Sequence, residues 1–199
     1  MQSQGKMSSC FCATIRVLSK FPCFLGSFCI FMPGLGFAKK QEDSPAASQS
    51  VNAQAETIER LVREFEGQFS VGQVTPAEGM VEGGMPDPRS IFVDVRPKSE
   101  RVVSGIPGSI SLQEFREGGI SSANQAKTFV FYCTIGYRSS KVVQRLKDGK
   151  LKVVNLRGGL IGWVHSGGRV VDSHGKETKK VHVYGDKWNV LPPGYSPIQ

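Results

Sequence analysis

Residues 131–140, FYCTIGYRSS, bring a cysteine, a glycine and an arginine together directly behind an apolar run. Cys133 is the one thiol beyond residue 30, because Cys10, Cys12, Cys23 and Cys29 all lie before it. A thiol attacks only as thiolate, and an ordinary cysteine, with a pKa of about 8.5, is mostly protonated at neutral pH. Turning it into a nucleophile requires positive potential. A loop running from a strand end into a helix can supply that, since its backbone N–H groups point inward onto an anion and the helix N-terminus adds a partial positive charge. Gly136 gives such a loop its latitude, and Arg138 adds a guanidinium beside it. Thr134, Tyr137 and Ser139 offer hydroxyls that would orient an anion at the rim, and Ile135 completes the loop.

The same cradle would hold a persulfide, whose terminal sulfur is negatively charged. With the leader removed, no second cysteine remains to resolve that intermediate as an internal disulfide, so an external thiophile must take the sulfur. A ping-pong transfer through Cys133 follows. Against this stands the commonest role of a free cysteine, inert packing in a core. The position between strand and glycine–arginine loop favours the reactive role.

The elements that must position the loop are legible as patterns. Three runs, IFVDV from Ile91, TFVFY from Thr128 and LKVVNL from Leu151, are rich in β-branched and aromatic residues with little polar alternation, as expected of strands covered on both faces of a parallel sheet. Helix signals follow each: Pro97 and the charged residues after the first, Val142, Val143 and Leu146 with Gly149 as a stop after the second, and RGGLIGW closed by Gly167 and Gly168 after the third. Alternating strand and helix predicts an α/β domain, in which ligands bind beyond the carboxyl ends of the strands. Cys133 belongs at that edge.

Upstream, Ile58, Leu61, Val62, Phe65 and Phe69 recur at helical spacing and predict an amphipathic helix over 56–69. A short strand ending near Val74 then precedes a helix with Thr75 as N-cap and Pro76 at its first position. Residues 56–84 are thus read as an N-terminal helical extension with an edge element, 85–172 as the main domain, and 173–199 as a C-terminal extension. That extension contains a predicted strand over 180–184 and is expected to wrap the domain rather than meet a partner.

Residues 39–55, KKQEDSPAASQSVNAQA, read as a polar linker. Before it, no charge occurs from Phe21 to Ala38, Arg16 and Lys20 precede the run, and Gly36 and Ala38 are small enough for a signal-peptidase site. Residues 1–38 are therefore expected to be a signal peptide cleaved after Ala38, with export to the periplasm or medium. A retained membrane anchor and an organellar targeting segment are the alternatives, and membrane association is expected only with the segment retained.

The net charge is +8, with 39% hydrophobic and 21% charged residues. The basic residues are scattered and not interleaved with aromatics, which argues against nucleic acid and for small anionic substrates. Asp94 and Arg96 read as a charged pair propping the site's edge. His165, His174 and His182 share no ligand spacing with a cysteine, so no metal is expected, and RGGLIGW lacks the spacing of a dinucleotide fingerprint. No cofactor is implied.

The segments FVDVRPKSE, IPGSISL, VFYCTIGYRSS and VVNLRGGLIGW, in that order over residues 85–170, resemble the rhodanese family. The resemblance implies a rhodanese-like α/β domain with a central parallel sheet flanked by helices on both faces. It also implies Cys133 as the sulfur-carrying nucleophile and residues 133–138 as its cradle. The expected activity is that of a thiosulfate sulfurtransferase, with thiosulfate or a persulfide as donor and a thiol, cyanide or a protein as acceptor. Four residues between Cys133 and Arg138 match the sulfurtransferases, whereas related phosphatases and arsenate reductases have five. Gly105 stands where many members carry histidine, and Ser109 where they carry alanine. The alternative is a non-catalytic module of the same fold that binds a protein partner or carries sulfur.

Overall fold

The computed structural model describes residues 45–118, 124 and 126–199. Residues 1–38, expected from the sequence to be a signal peptide, and the first residues of the expected linker lie outside them. Among the described residues, no helix is long and apolar enough to cross a membrane.

The centre is a five-stranded parallel sheet. Its strands are β1 (Gln73–Val74), β4 (Ser90–Asp94), β5 (Ile110–Ser111), β6 (Thr128–Tyr132) and β7 (Val153–Leu156), in the order β1-β7-β6-β4-β5. Successive side chains of a strand point to opposite faces, and both faces here are apolar. Phe92, Val130 and Tyr132 join one buried cluster, while Val93, Phe129 and Phe131 join the other. The uninterrupted hydrophobic runs have this cause.

Helix α3 (Leu112–Arg116) and helix α4 (Tyr137–Leu146) cover the second face with Phe115, Val142, Val143 and Leu146. On the first face lie helix α1 (Pro45–Glu66), through Ile58, Leu61 and Val62, and helix α5 (Gly159–His165), through Leu160, Ile161, Trp163 and Val164. The sheet is thus flanked by helices on both faces.

Several expectations need correction. Helix α1 begins at Pro45 rather than Glu56, so residues 45–55 of the expected linker are helical. Their alanines, Ala46, Ala47, Ala53 and Ala55, are the strongest helix formers and make a polar stretch helical without an apolar face of its own. The helix predicted after Thr75 is a single turn. Thr75 and Glu78 exchange capping hydrogen bonds, the Gly79 N–H donates to the Thr75 carbonyl, and the chain turns at once into strand β2 (Met80–Val81), paired with β3 (Met85–Pro86). The helix after β4 is a single turn too, α2 (Lys98–Arg101).

The C-terminal extension wraps the domain. Strand β8 (Lys180–His182) pairs with β9 (Ser196–Ile198), and Val181, Val183 and Leu191 are buried beside Trp163. Burying three such aliphatic side chains stabilises the fold by about 1.5–3 kcal/mol each before conformational entropy is counted.

Candidate functional site

Chain order reverses between β4 and β6: from β4 the chain steps to β5 on one side, whereas β6 lies on the other side and leads on to β7. Cys133 follows β6 immediately, so the thiol sits at the carboxyl end of a central strand at this switch point, where open parallel sheets leave a crevice. Gly136 ends the loop as N-cap of α4 with φ +101°, a left-handed conformation favouring glycine. That geometry aims the Gly136 N–H at the Cys133 Sγ, 3.2 Å away. The first turn of α4, with its orphan N–H groups and partial positive charge, starts beside the sulfur.

The loop is held from below by the start of α5. Leu160 and Ile161 donate their N–H groups to the carbonyls of Cys133 and Thr134, at 2.8 and 3.0 Å. Gly159 is the contact point. A Cβ there would lie 2.5 Å from the Cys133 carbonyl oxygen and 2.8 Å from the Gly136 and Ile135 nitrogens, which leaves no room for any other residue.

From the side, the loop is held by a residue the sequence reading passed over. Glu100, on the one-turn helix α2, receives both terminal amino groups of Arg138, at 2.7 and 2.8 Å, and the Thr134 hydroxyl at 3.2 Å. Arg138 also donates to the Thr134 hydroxyl oxygen at 3.0 Å. Burial pushes the Glu100 carboxyl up, but the hydrogen bonds and charge of Arg138, with Arg96 and His182 behind them, outweigh it and hold the pKa below the ordinary value. Burial likewise disfavours the Arg138 cation, and Glu100 together with the Cys133 sulfur more than restores it. The guanidinium is therefore spoken for by a carboxylate, and its field at the sulfur is partly cancelled.

Cys133 is only 1% exposed, yet it is not sealed in hydrocarbon. It lies with Thr134, Ile135, Tyr137 and Arg138 at a pocket of about 320 Å³ that is walled by Phe65 of α1 and by Tyr184, Lys187 and Trp188 of the C-terminal extension. Phe65 stands 5.2 Å from the Tyr137 ring and 5.9 Å from that of Trp188, and Phe69 meets Tyr137 edge-on at 5.4 Å. The Arg138 guanidinium lies 5.3 Å from the Tyr184 ring centre.

Cys133, Thr134, Ile135, Tyr137 and Arg138 of the expected site thus line the pocket, and Gly136 serves it through the N–H on the sulfur; Ser139, Asp94 and Arg96 lie elsewhere. The Ser139 hydroxyl is not at the rim: the residue is fully buried and donates back to the Gly136 carbonyl, as Ser140 does. Asp94 and Arg96 do form a pair, but they line a different pocket, beside Gly105, Ser109 and Ser111. Their route to the site is indirect, through the Arg96 guanidinium stacked 5.7 Å from the ring of Tyr132, the residue before the cysteine. Gly105 also faces the Tyr132 hydroxyl, which accepts from the Ile106 N–H and bonds the Ser109 hydroxyl.

Glu100 could have been suspected as the one acid of its turn; the aromatic walls could not, because they come from segments far apart in the chain. His182, on β8, adds a ring nitrogen 4.0 Å from a Glu100 oxygen.

Residues 77–166 match the model of the Rhodanese-like domain family. Among solved structures, a rhodanese-related protein from Thermoplasma volcanium is 27% identical, with 50% of this chain aligned to 97% of that one and a TM-score of 0.42. A thiosulfate sulfurtransferase from Pseudomonas aeruginosa is 21% identical, over 62% of this chain and 23% of that one, with a TM-score of 0.44. A rhodanese-like domain protein from Staphylococcus aureus is 27% identical over 46% and 90%, at a TM-score of 0.38. No curated protein matches the sequence.

Proposed function

Starting from a rhodanese-like domain over residues 77–166, we propose that the protein is a sulfurtransferase that carries sulfane sulfur on Cys133. The observation that carries this reading is the Gly136 N–H directed at the Cys133 Sγ at the start of α4, on the floor of an open pocket. In the first half-reaction the Cys133 thiolate attacks the outer sulfur of thiosulfate. The new S–S bond forms as the old one breaks, and sulfite leaves with the bonding pair. In the second, cyanide or a thiolate attacks the terminal sulfur, taking it as thiocyanate or a new persulfide and returning the Cys133 thiolate. Each step conserves charge, and neither needs an oxidant.

The Gly136 N–H faces the sulfur, while Thr134 and Arg138, clamped by Glu100, fix the shape of the loop. Incubation with thiosulfate is expected to add the mass of one sulfur to the intact chain, and cyanide to remove it. The adduct must be absent in Cys133→Ser; its absence in the unaltered protein, or its persistence in that variant, overturns the reading.

A second reading, a non-catalytic module of the same fold, draws support from the near-complete burial of Cys133 and the occupied guanidinium of Arg138. It predicts no sulfur adduct and a stable protein partner. Export, proposed on the sequence of residues 1–38 alone, is checked by the mass of the mature N-terminus, expected to begin at Lys39.

A further inference from the structure

Thiosulfate is a small, fully polar dianion, and the pocket above Cys133 has more room and more apolar wall than such an ion uses. Its volume of about 320 Å³ falls within the range of about 300–1,000 Å³ typical of sites for organic ligands. Phe65, Tyr184 and Trp188 form its walls, and all three lie outside the residues that match the family. A thiosulfate ion at the sulfur would leave those walls facing water. The charge is arranged to suit a single anionic head on an apolar body. Arg138 is neutralised by Glu100, while Lys187 stands at the rim with its ammonium 5.0 Å from the Trp188 ring centre and, among the described residues, has no acidic partner.

We propose that Phe65, Tyr184 and Trp188 make the site selective for a sulfur compound with an aromatic or comparably bulky apolar body and one anionic group, which Lys187 receives. This deepens the sulfurtransferase reading and rests on it for the chemistry, though not for the binding. With an arenethiosulfonate the Cys133 thiolate attacks the outer sulfur, the Cys133 persulfide forms, and the arenesulfinate leaves with the electron pair of the broken S–S bond. Ring-on-ring contact with Trp188 and Tyr184 holds the body during the attack, through burial and offset aromatic geometry.

Two measurements test this, one of them independent of turnover. Calorimetry on Cys133→Ser with benzenesulfonate, an unreactive stand-in, is expected to show binding about tenfold or more tighter than methanesulfonate, the difference a buried ring makes. Trp188→Ala and Tyr184→Ala should each erase most of that preference, and Tyr184, 70% exposed, can be truncated without disturbing the core. In the unaltered chain, benzenethiosulfonate should load Cys133 at least about tenfold more efficiently than thiosulfate. Equal binding of the two sulfonates, or a preference that survives both substitutions, overturns the proposal. If binding is selective but neither donor loads the cysteine, sulfur transfer fails and the selective pocket stands.

Discussion

The end of β4 and the helical turn after it each set a carboxylate against an arginine, and the two forks serve different ends. Asp94 and Arg96 lie two residues apart and are sealed, with side chains 1% and 0% exposed. The guanidinium takes both carboxylate oxygens and spends a further bond on the Ser104 carbonyl. Glu100 and Arg138 join distant parts of the chain, and the arginine remains 32% exposed at the pocket. Charge-assisted bidentate bonding is common to both. One ties the strand end to the Ser104 carbonyl, whereas the other shapes the loop around Cys133. A charged pair near a strand end thus shows its role only through the partner it reaches.

The contrast can be broken first at the sealed fork. Arg96→Leu strands a buried carboxylate and is expected to cost about 3–5 kcal/mol in urea unfolding, with the surviving folded fraction still loading sulfur at close to the unaltered rate. Glu100→Gln should behave in the opposite sense. Losing one charge-assisted bond worth about 1.5–3 kcal/mol loosens Thr134 and Arg138, so the efficiency of sulfur loading should fall roughly tenfold to a hundredfold while most of the fold's stability is kept. If Arg96→Leu damages loading of the folded protein more than Glu100→Gln does, the division of roles is wrong.

Acid sharpens the same comparison. The Glu100 pKa is lower in the folded chain than its ordinary 4.5, so its contribution to stability is fully present above that ordinary value and disappears as pH falls through the lowered one. The stability advantage of the unaltered protein over Glu100→Gln should therefore be flat near neutrality and shrink below about pH 4.5. An advantage that grows on acidification would contradict the assignment.

The smallest effect belongs to a third fork, in which Arg157 binds Glu59 and Glu66 of α1, carboxylates that are 44% and 32% exposed. Solvent-exposed pairs of this kind contribute about 0–1 kcal/mol. Arg157→Gln is expected to lower the midpoint of thermal unfolding by no more than a few degrees and to leave loading by thiosulfate unchanged.

These forks also mark what could be read from the chain alone. The strands β4, β6 and β7 were legible because burial on both faces writes itself as an unbroken apolar run, and the cysteine loop because it follows one such run directly. Helix α3 was not read, although its capping box, Ser111 with Glu114, stands in the sequence as Ser-x-x-Glu; its five residues are too few to show a helical period. Glu100 was missed for a related reason. On a single turn no periodicity says which side chain faces inward, and here the tertiary position of Arg138 decides it. Phe65 read only as part of an apolar helix face, and Tyr184 and Trp188 as residues of the C-terminal extension, because their meeting depends on two segments far apart in the chain folding to the same pocket.

The abutment of Gly159 against the cysteine loop carries a consequence for how the protein is made. During synthesis the thiol leaves the ribosome well before the glycine that moulds the backbone around it, and the aromatic walls emerge later still. A nascent chain halted after α4 would carry the thiol without the α5 contacts that shape its loop and without two of the aromatic walls around it. The pocket is complete only when the remainder of the chain has folded back.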